Sequence, residues 1–140
     1  MKRAVNIPVI ANGDITSSEY AKRVLDVTGA DGVMIGCGGQ GRRWFYREAV
    51  DYLDTDDMLA KLTITRIRDL LVSHLDALDT FCGAYIGVRV ARKHVRWYLS
   101  ERRGSACLRR RTNQSDTPVV QMELVSVVLD AATTGECVAA

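Results

Sequence analysis

Three groups of residues in this 140-residue chain have types and spacing that could do chemistry. Two are short turns, Asn12-Gly13-Asp14 and Gly36-Cys37-Gly38-Gly39, each directly after a run of apolar, β-branched residues. Glycine-rich turns of this kind present bare backbone NH groups, and a helix starting behind them adds the positive end of its dipole, so together they suit a phosphate. A single turn is better explained by the chain's need to turn; the pair reverses that preference and favours the anion. The third group is Arg89, Arg92, Lys93 and Arg96, whose i, i+3, i+4, i+7 spacing places four cations on one face of a helix. Arg102, Arg103, Arg109, Arg110 and Arg111 extend the charge, opposed between 89 and 111 only by Glu101. Like charges so spaced repel, which points to a polyanion contact, RNA above all, rather than to a merely solvated face. His94, Trp97 and Tyr98 could stack on bases, although core packing explains the aromatics better, and His94 reads as a core histidine or a contact to a neighbouring domain.

The elements that position these groups follow from periodicity. Residues 8–50 read as strand, helix, strand, helix, the repeat of a parallel α/β sheet with buried strands. Thr16 and Glu19 have capping-box spacing, the helix behind them turns Tyr20, Val24, Leu25 and Val27 inward, and Gly29 stops it. A closing helix follows Gly41, apolar at Trp44, Phe45, Ala49, Tyr52 and Leu53, and Asp54-Thr55-Asp56-Asp57 ends it and marks a boundary. Ile64, Ile67, Leu70, Leu71, Leu75, Leu78 and Phe81 then recur at helical spacing until Gly83 breaks the run. The next helix spans 84–102 with Tyr85, Val88, Ala91, Val95, Tyr98 and Leu99 inward. Thr117-Pro118 opens the last, with Val120, Leu124, Val127 and Val128 inward. This gives a first domain at 1–56, a helical domain at 57–130 and a frayed tail at 131–140.

Composition excludes several classes. With 47% apolar and 26% charged residues and a net charge of +2, the chain is an ordinary globular one. No run approaches the roughly 18 apolar residues of a membrane span, and the N-terminus has no signal-peptide core, so a cytoplasmic protein with no membrane partner is expected. Cys37, Cys82, Cys107 and Cys137 form no C-x-x-C pair, and His74 and His94 lie twenty positions apart, so no metal site and no disulfide framework is expected.

The stretch Ile7 to Ile15, then Thr28-Gly-Ala-Asp-Gly-Val-Met-Ile-Gly36, Gln40-Gly41 and Trp44-Phe45, resembles the last two strands of bacterial tRNA-dihydrouridine synthases of the B class. Val88-Arg89-Val90-Ala91-Arg92-Lys93-His94-Val95-Arg96-Trp97-Tyr98 resembles that family's RKH-x-x-WY helix. The resemblance covers about residues 5–115. It implies an α/β fold made of the last two βα units of a TIM (β/α)8 barrel, followed by a mostly helical tRNA-binding domain. It implies FMN as cofactor, NADPH as reductant, and reduction of uridine to dihydrouridine in tRNA.

Residue by residue, Asn12, Gly13 and Asp14 match the family's flavin-binding turn, and Gly36 and Cys37, continuing into Gly38, its second phosphate-binding turn. Arg89, Arg92, Lys93 and His94 match its RNA-binding helix. Two positions depart from the pattern: Cys37 stands where the family has arginine, and Gly41-Arg42-Arg43-Trp44 replaces G-x-P-W. No residue here is assigned as the catalytic proton donor, since Cys37, Cys82 and Cys107 lie outside that motif. A complete barrel takes about 250 residues. The chain therefore reads as N-terminally truncated, inactive unless a partner supplies the missing barrel half; a free-standing basic helical RNA-binding module is the alternative.

Overall fold

The computed structural model describes residues 2–100 and 105–134. It divides into two compact units, Met1–Ala60 and Lys61–Ala140.

The first unit contains a parallel pair of three-residue strands, β1 (Ile10–Asn12) and β2 (Gly32–Met34), in the register Ile10 to Gly32, Ala11 to Val33 and Asn12 to Met34. Helix α1 (Ser18–Thr28) crosses between them and α2 (Phe45–Thr55) follows the second. The cap of α1 falls one residue later than its sequence suggests: the Ser17 hydroxyl, not Thr16, accepts from the Tyr20 amide at 3.2 Å. Glu19 still lies in the first turn, and its carboxyl is held below the usual range by its own backbone amide and by the Ser17 hydroxyl. Gly29 closes α1 at φ 64°, a left-handed conformation that costs glycine nothing. Asp56 does the same for α2 at φ 62°, and Lys22 pairs with its carboxylate.

Ile15, Ala21, Phe45 and Ala49 form the core of this unit, with Val24, Val33 and Ile35 against it. Two expectations are corrected here. Ile7, Ile10 and Met34 are exposed, because a sheet of two short strands covers little of either face; and Tyr20 and Val27 face outward, while the small Ala21 takes the core position. Asp31 fastens the entry to the sheet. Its carboxylate accepts from the Val9 amide at 2.7 Å and pairs with Lys2 at 2.6 Å, and these contacts, Lys2 foremost, hold it below the usual carboxylate range.

The second unit is helical: α3 (Ile64–Cys82), α4 (Ala84–Tyr98), α5 (Ser105–Gln114) and α6 (Pro118–Thr134). Thr63 caps α3 through the Arg66 amide at 3.2 Å, and Gly83, at φ 77°, ends it. α3 packs on α4 and α6, and α5 fits between α4 and α6. Ile67, Leu71, Leu75, Val88, Ala91, Val95, Leu99, Val125 and Leu129 are buried. Each of the Ile, Leu and Val side chains contributes about 1.5–3 kcal/mol relative to exposure. At Gly87 the two antiparallel helices approach so closely that a Cβ would collide with Asp79.

The helical unit departs from expectation at five places. α4 ends at Tyr98 rather than 102, and α5 had no apolar periodicity to announce it. Phe81 and Tyr85 are exposed rather than inward, being placed at the α3–α4 corner beyond the covered stripe. α6 turns Gln121, Val125 and Leu129 to the core, while Val120 and Val127 are exposed; Gln121 is accommodated because its amide donates to the Val88 carbonyl at 3.2 Å. The expected tail from 131 is helical as far as Thr134; residues 135–140, and the side chain of Val128, lie outside the described residues.

Candidate functional site

Because β1 and β2 are parallel and in register at Asn12 and Met34, the turns that leave them emerge at the same edge of the sheet. Gly13 (φ 147°) and Asp14 (φ 38°) turn the chain out of β1. Positive φ suits glycine, and the short polar side chain of aspartate tolerates it. After β2, a 3₁₀ turn over Cys37–Gly39 carries the chain toward α2. The two turns touch: Gly38 lies against the carbonyl of Ile15, where any Cβ would collide. The Arg42 guanidinium also links them, donating to the Thr16 carbonyl at 3.2 Å while lying 4.9 Å from the Phe45 ring centroid and 3.9 Å from the Glu48 carboxylate.

Over Gly13 and Gly36 a built Cβ would meet nothing within 4 Å, so both backbones are open to close approach. Cys37 is exposed. Asn12, Gly13 and Asp14 also open into a groove of about 640 Å³ along β1 and α1, lined by Ile10, Tyr20, Val24 and Val27; Gly36, Cys37 and Gly38 are not among its lining residues. The chemistry available at this edge is that of backbone amides and one tethered guanidinium, which fits a phosphate group. Arg42 is the contributor that the sequence reading missed as a bridge; its signal was its place two positions before Trp44, in the stretch where the family pattern was broken.

On α4 the four cations separate into two kinds. Arg89, Lys93 and Arg96 are exposed, and none has a carboxylate partner among the described residues. The Arg89 guanidinium lies 3.6 Å from the Tyr85 ring centroid and donates to the Tyr85 carbonyl at 3.0 Å, and the Lys93 ammonium lies 5.6 Å from the centroid of Trp97. Arg92 differs. Its side chain is only 29% exposed, and its Nη2 donates to the Ser115 carbonyl at 3.0 Å and sits 3.6 Å from Asp116, clamping α4 to the start of α6. Arg110 and Arg111, on α5, are exposed, whereas the side chains of Arg102, Arg103 and Arg109 lie outside the described residues.

His94 faces away from this row, half-buried and edge-on to His74 (4.7 Å between centroids) and Trp97 (5.1 Å). Burial first, then His74 and Lys93, push its pKa below the ordinary value. No group of three or more metal-ligating side chains occurs among the described residues, and none of their helices is long and apolar enough to cross a membrane.

Comparison with known proteins bears on the same stretches. The family model described as Dihydrouridine synthase (Dus) matches residues 1–133. The chain is 45% identical over 130 residues to the tRNA-dihydrouridine synthase B of Vibrio vulnificus, covering 93% of this chain and 40% of the relative. It is 44% identical over 135 residues to that of Xanthomonas axonopodis pv. citri, covering 96% and 41%, and 50% identical over 113 residues to that of Pseudomonas putida, covering 81% and 34%. It thus spans about two fifths of the length of the first of these relatives. A match running from before the first strand into the last turn of the last helix places both glycine turns and the basic helix inside one shared pattern, and the chain belongs to the dihydrouridine synthase family.

Proposed function

We propose that this chain serves the FMN-dependent, NADPH-driven reduction of uridine to dihydrouridine in tRNA. Its first unit supplies the last two βα units of a (β/α)8 barrel and the phosphate end of the flavin site, and its second unit supplies a tRNA-binding surface. The observation that carries the reading is the contact of Gly38 with Ile15, which joins two glycine turns at the carboxyl edge of one parallel strand pair. Ligands of open α/β folds and barrels bind at such an edge. Asn12, Gly13 and Asp14 on one turn, and Gly36, Cys37 and Gly38 on the other, would hold the phosphate. FMN, when bound, supplies the hydride chemistry. This chain's part is to fix one end of the cofactor through amides whose position is set by the packed turns, with Arg42 adding positive charge.

Arg89, Lys93 and Arg96 would meet tRNA phosphates, with Arg92 adding its field from within the clamp. No residue of this chain is given the proton-donor role. The test compares FMN with riboflavin by flavin-fluorescence titration of the purified chain. Tighter binding of FMN is expected; equal affinity would remove the phosphate assignment, and absence of binding to either would remove this chain's own hold on the cofactor. The second reading, a helical RNA-binding module acting without catalysis, is favoured by the confinement of the whole basic row to the second compact unit. It predicts tRNA binding indifferent to flavin.

A further inference from the structure

Where α3 gives way to α4, the helical unit leaves three large apolar side chains in solvent: Phe81 is 90% exposed, Tyr85 70% and Ile86 54%. An aromatic residue buries 150–250 Å² when packed, so leaving two of them bare within a few residues runs against the main force that built this unit. Tyr85 is also in line with the cations. Tyr85, Arg89, Arg92 and Arg96 fall at i, i+4, i+7 and i+11, one stripe along the flank of the helix beside the buried Val88, Ala91 and Val95, exposed except at Arg92. The stripe runs for about 16 Å along α4. Its first member has one ring face covered by the Arg89 guanidinium at 3.6 Å and the rest of the ring in water.

A flat ring backed by a cation, at the end of a row in which Arg89 and Arg96 have no carboxylate partner among the described residues, has the composition of surfaces that bind unpaired nucleotides. The charges follow the backbone, and the exposed π-face takes a base. We infer that Tyr85 and Phe81 form a base-stacking platform for an unpaired nucleotide of the bound RNA. Resting on the proposed tRNA reading, this gives the surface a preference that charge alone cannot supply: it selects RNA with splayed or looped-out bases over continuous duplex, whose bases are already stacked on each other. Charge complementarity chooses this occupant over an apolar protein partner, which would have to bury Arg89, Lys93 and Arg96 beside the rings without counter-charges.

The test uses the full 140-residue chain, a fluorescently labelled tRNA and a blunt RNA duplex with a similar number of phosphates, read by anisotropy across a salt series. The expected result is a wild-type preference for tRNA. Phe81→Ser with Tyr85→Ser should weaken tRNA binding by about tenfold, leaving duplex affinity and the salt dependence as they were. Tyr85→Phe, which keeps the ring, should bind as wild type, and far-ultraviolet circular dichroism should show unchanged helicity in all variants. Unaltered tRNA affinity in the double variant would overturn the platform while leaving the basic-row reading intact. Loss of tRNA and duplex binding in equal measure would also overturn it. Failure of the wild-type chain to bind either RNA would overturn both. A wild-type dimer in sedimentation that the double variant dissolves would assign the corner to a second copy of the chain and overturn the platform as well.

Discussion

Removing charge from α4 should have two distinct effects depending on which cation is removed. Arg89, Lys93 and Arg96 project into solvent without carboxylate partners among the described residues, so each is available to replace a counterion on a phosphate. Three such contacts give a plot of log affinity against log salt with a slope of about −2.1 to −2.7, a loss of roughly 20- to 40-fold between 50 and 200 mM salt. Arg89→Gln, Lys93→Gln or Arg96→Gln should each make that slope shallower by about 0.7–0.9, with little change in melting temperature. Arg92 holds the Ser115 carbonyl at 3.0 Å and neighbours Asp116, and its side chain is partly screened by solvent. A charged hydrogen bond of this kind is worth about 1.5–3 kcal/mol when fully desolvated, and about 1 kcal/mol after screening. Arg92→Gln should therefore lower the melting temperature by about 4–8 °C, as expected for a unit of this size, and change the slope less than the other three do. Anisotropy titrations with tRNA and thermal melts of the same four proteins decide it. If Arg92→Gln flattens the salt dependence as much as Arg96→Gln while melting like wild type, the division of the cations drawn from the structure is wrong.

Four further outcomes are expected. Leu71→Ala, at a fully buried position between helices, should cost about 2–5 kcal/mol in urea unfolding. Asp79 is half-buried, both its carboxylate oxygens are enclosed without a partner among the described residues, and burial followed by the charge of Asp76 raises its pKa. The folded chain therefore keeps a proton that the unfolded chain releases, wild-type stability falls as pH rises from about 4, and Asp79→Ala should be more stable at pH 7 by about 1 kcal/mol, with the gain shrinking in acid. His94 has the opposite sign: its pKa is depressed by burial, so as pH falls below about 6.5 the unfolded chain takes up the proton first and stability declines. Circular-dichroism melts between pH 5 and 8 should show that decline in wild type and a flatter profile in His94→Gln. Cys37→Arg, which places a cation on an exposed turn, should favour FMN over riboflavin by up to about tenfold more than wild type does, measured by flavin-fluorescence titration.

Local signals in the chain were legible where a single residue type does a single job. Thr63 before the apolar run, Gly83 at its end, Thr117-Pro118 before the last helix and Gly29 after the first all lie where capping and backbone preference put them. The parallel order of two strands joined by a helix was likewise readable from Ile10–Asn12 and Gly32–Met34. What escaped was decided at a distance. α6 is apolar on nearly every side, so periodicity could not tell Val120 from Val125; the choice was made by the Val88 carbonyl, which gives buried Gln121 an acceptor. α5 is dominated by Arg109-Arg110-Arg111 and polar neighbours, and packing between α4 and α6 makes it a helix without any apolar stripe of its own. Four cations at helical spacing looked equivalent because the partner that sets Arg92 apart lies 23 residues away.

The two anion contacts proposed for this chain rest on different physics, and that difference makes them separable. At the sheet edge the attraction comes from oriented amides, held by the packing of Gly38 on Ile15 and by a guanidinium already engaged with Thr16 and near Glu48. Fixed dipoles in a packed turn release few counterions on binding, so salt should alter affinity for a small phosphate little. Along α4 the attraction would come from exposed side chains whose mutual repulsion an approaching polyanion relieves, and salt competes with it directly. With a net charge of only +2 over the whole chain, the field that meets an incoming RNA belongs to the local run of cations, the exposed Arg110 and Arg111 included, rather than to the molecule at large. Raising the salt should accordingly release RNA first and leave a flavin phosphate in place, because only one of the two contacts is made of charges that water and ions can reach.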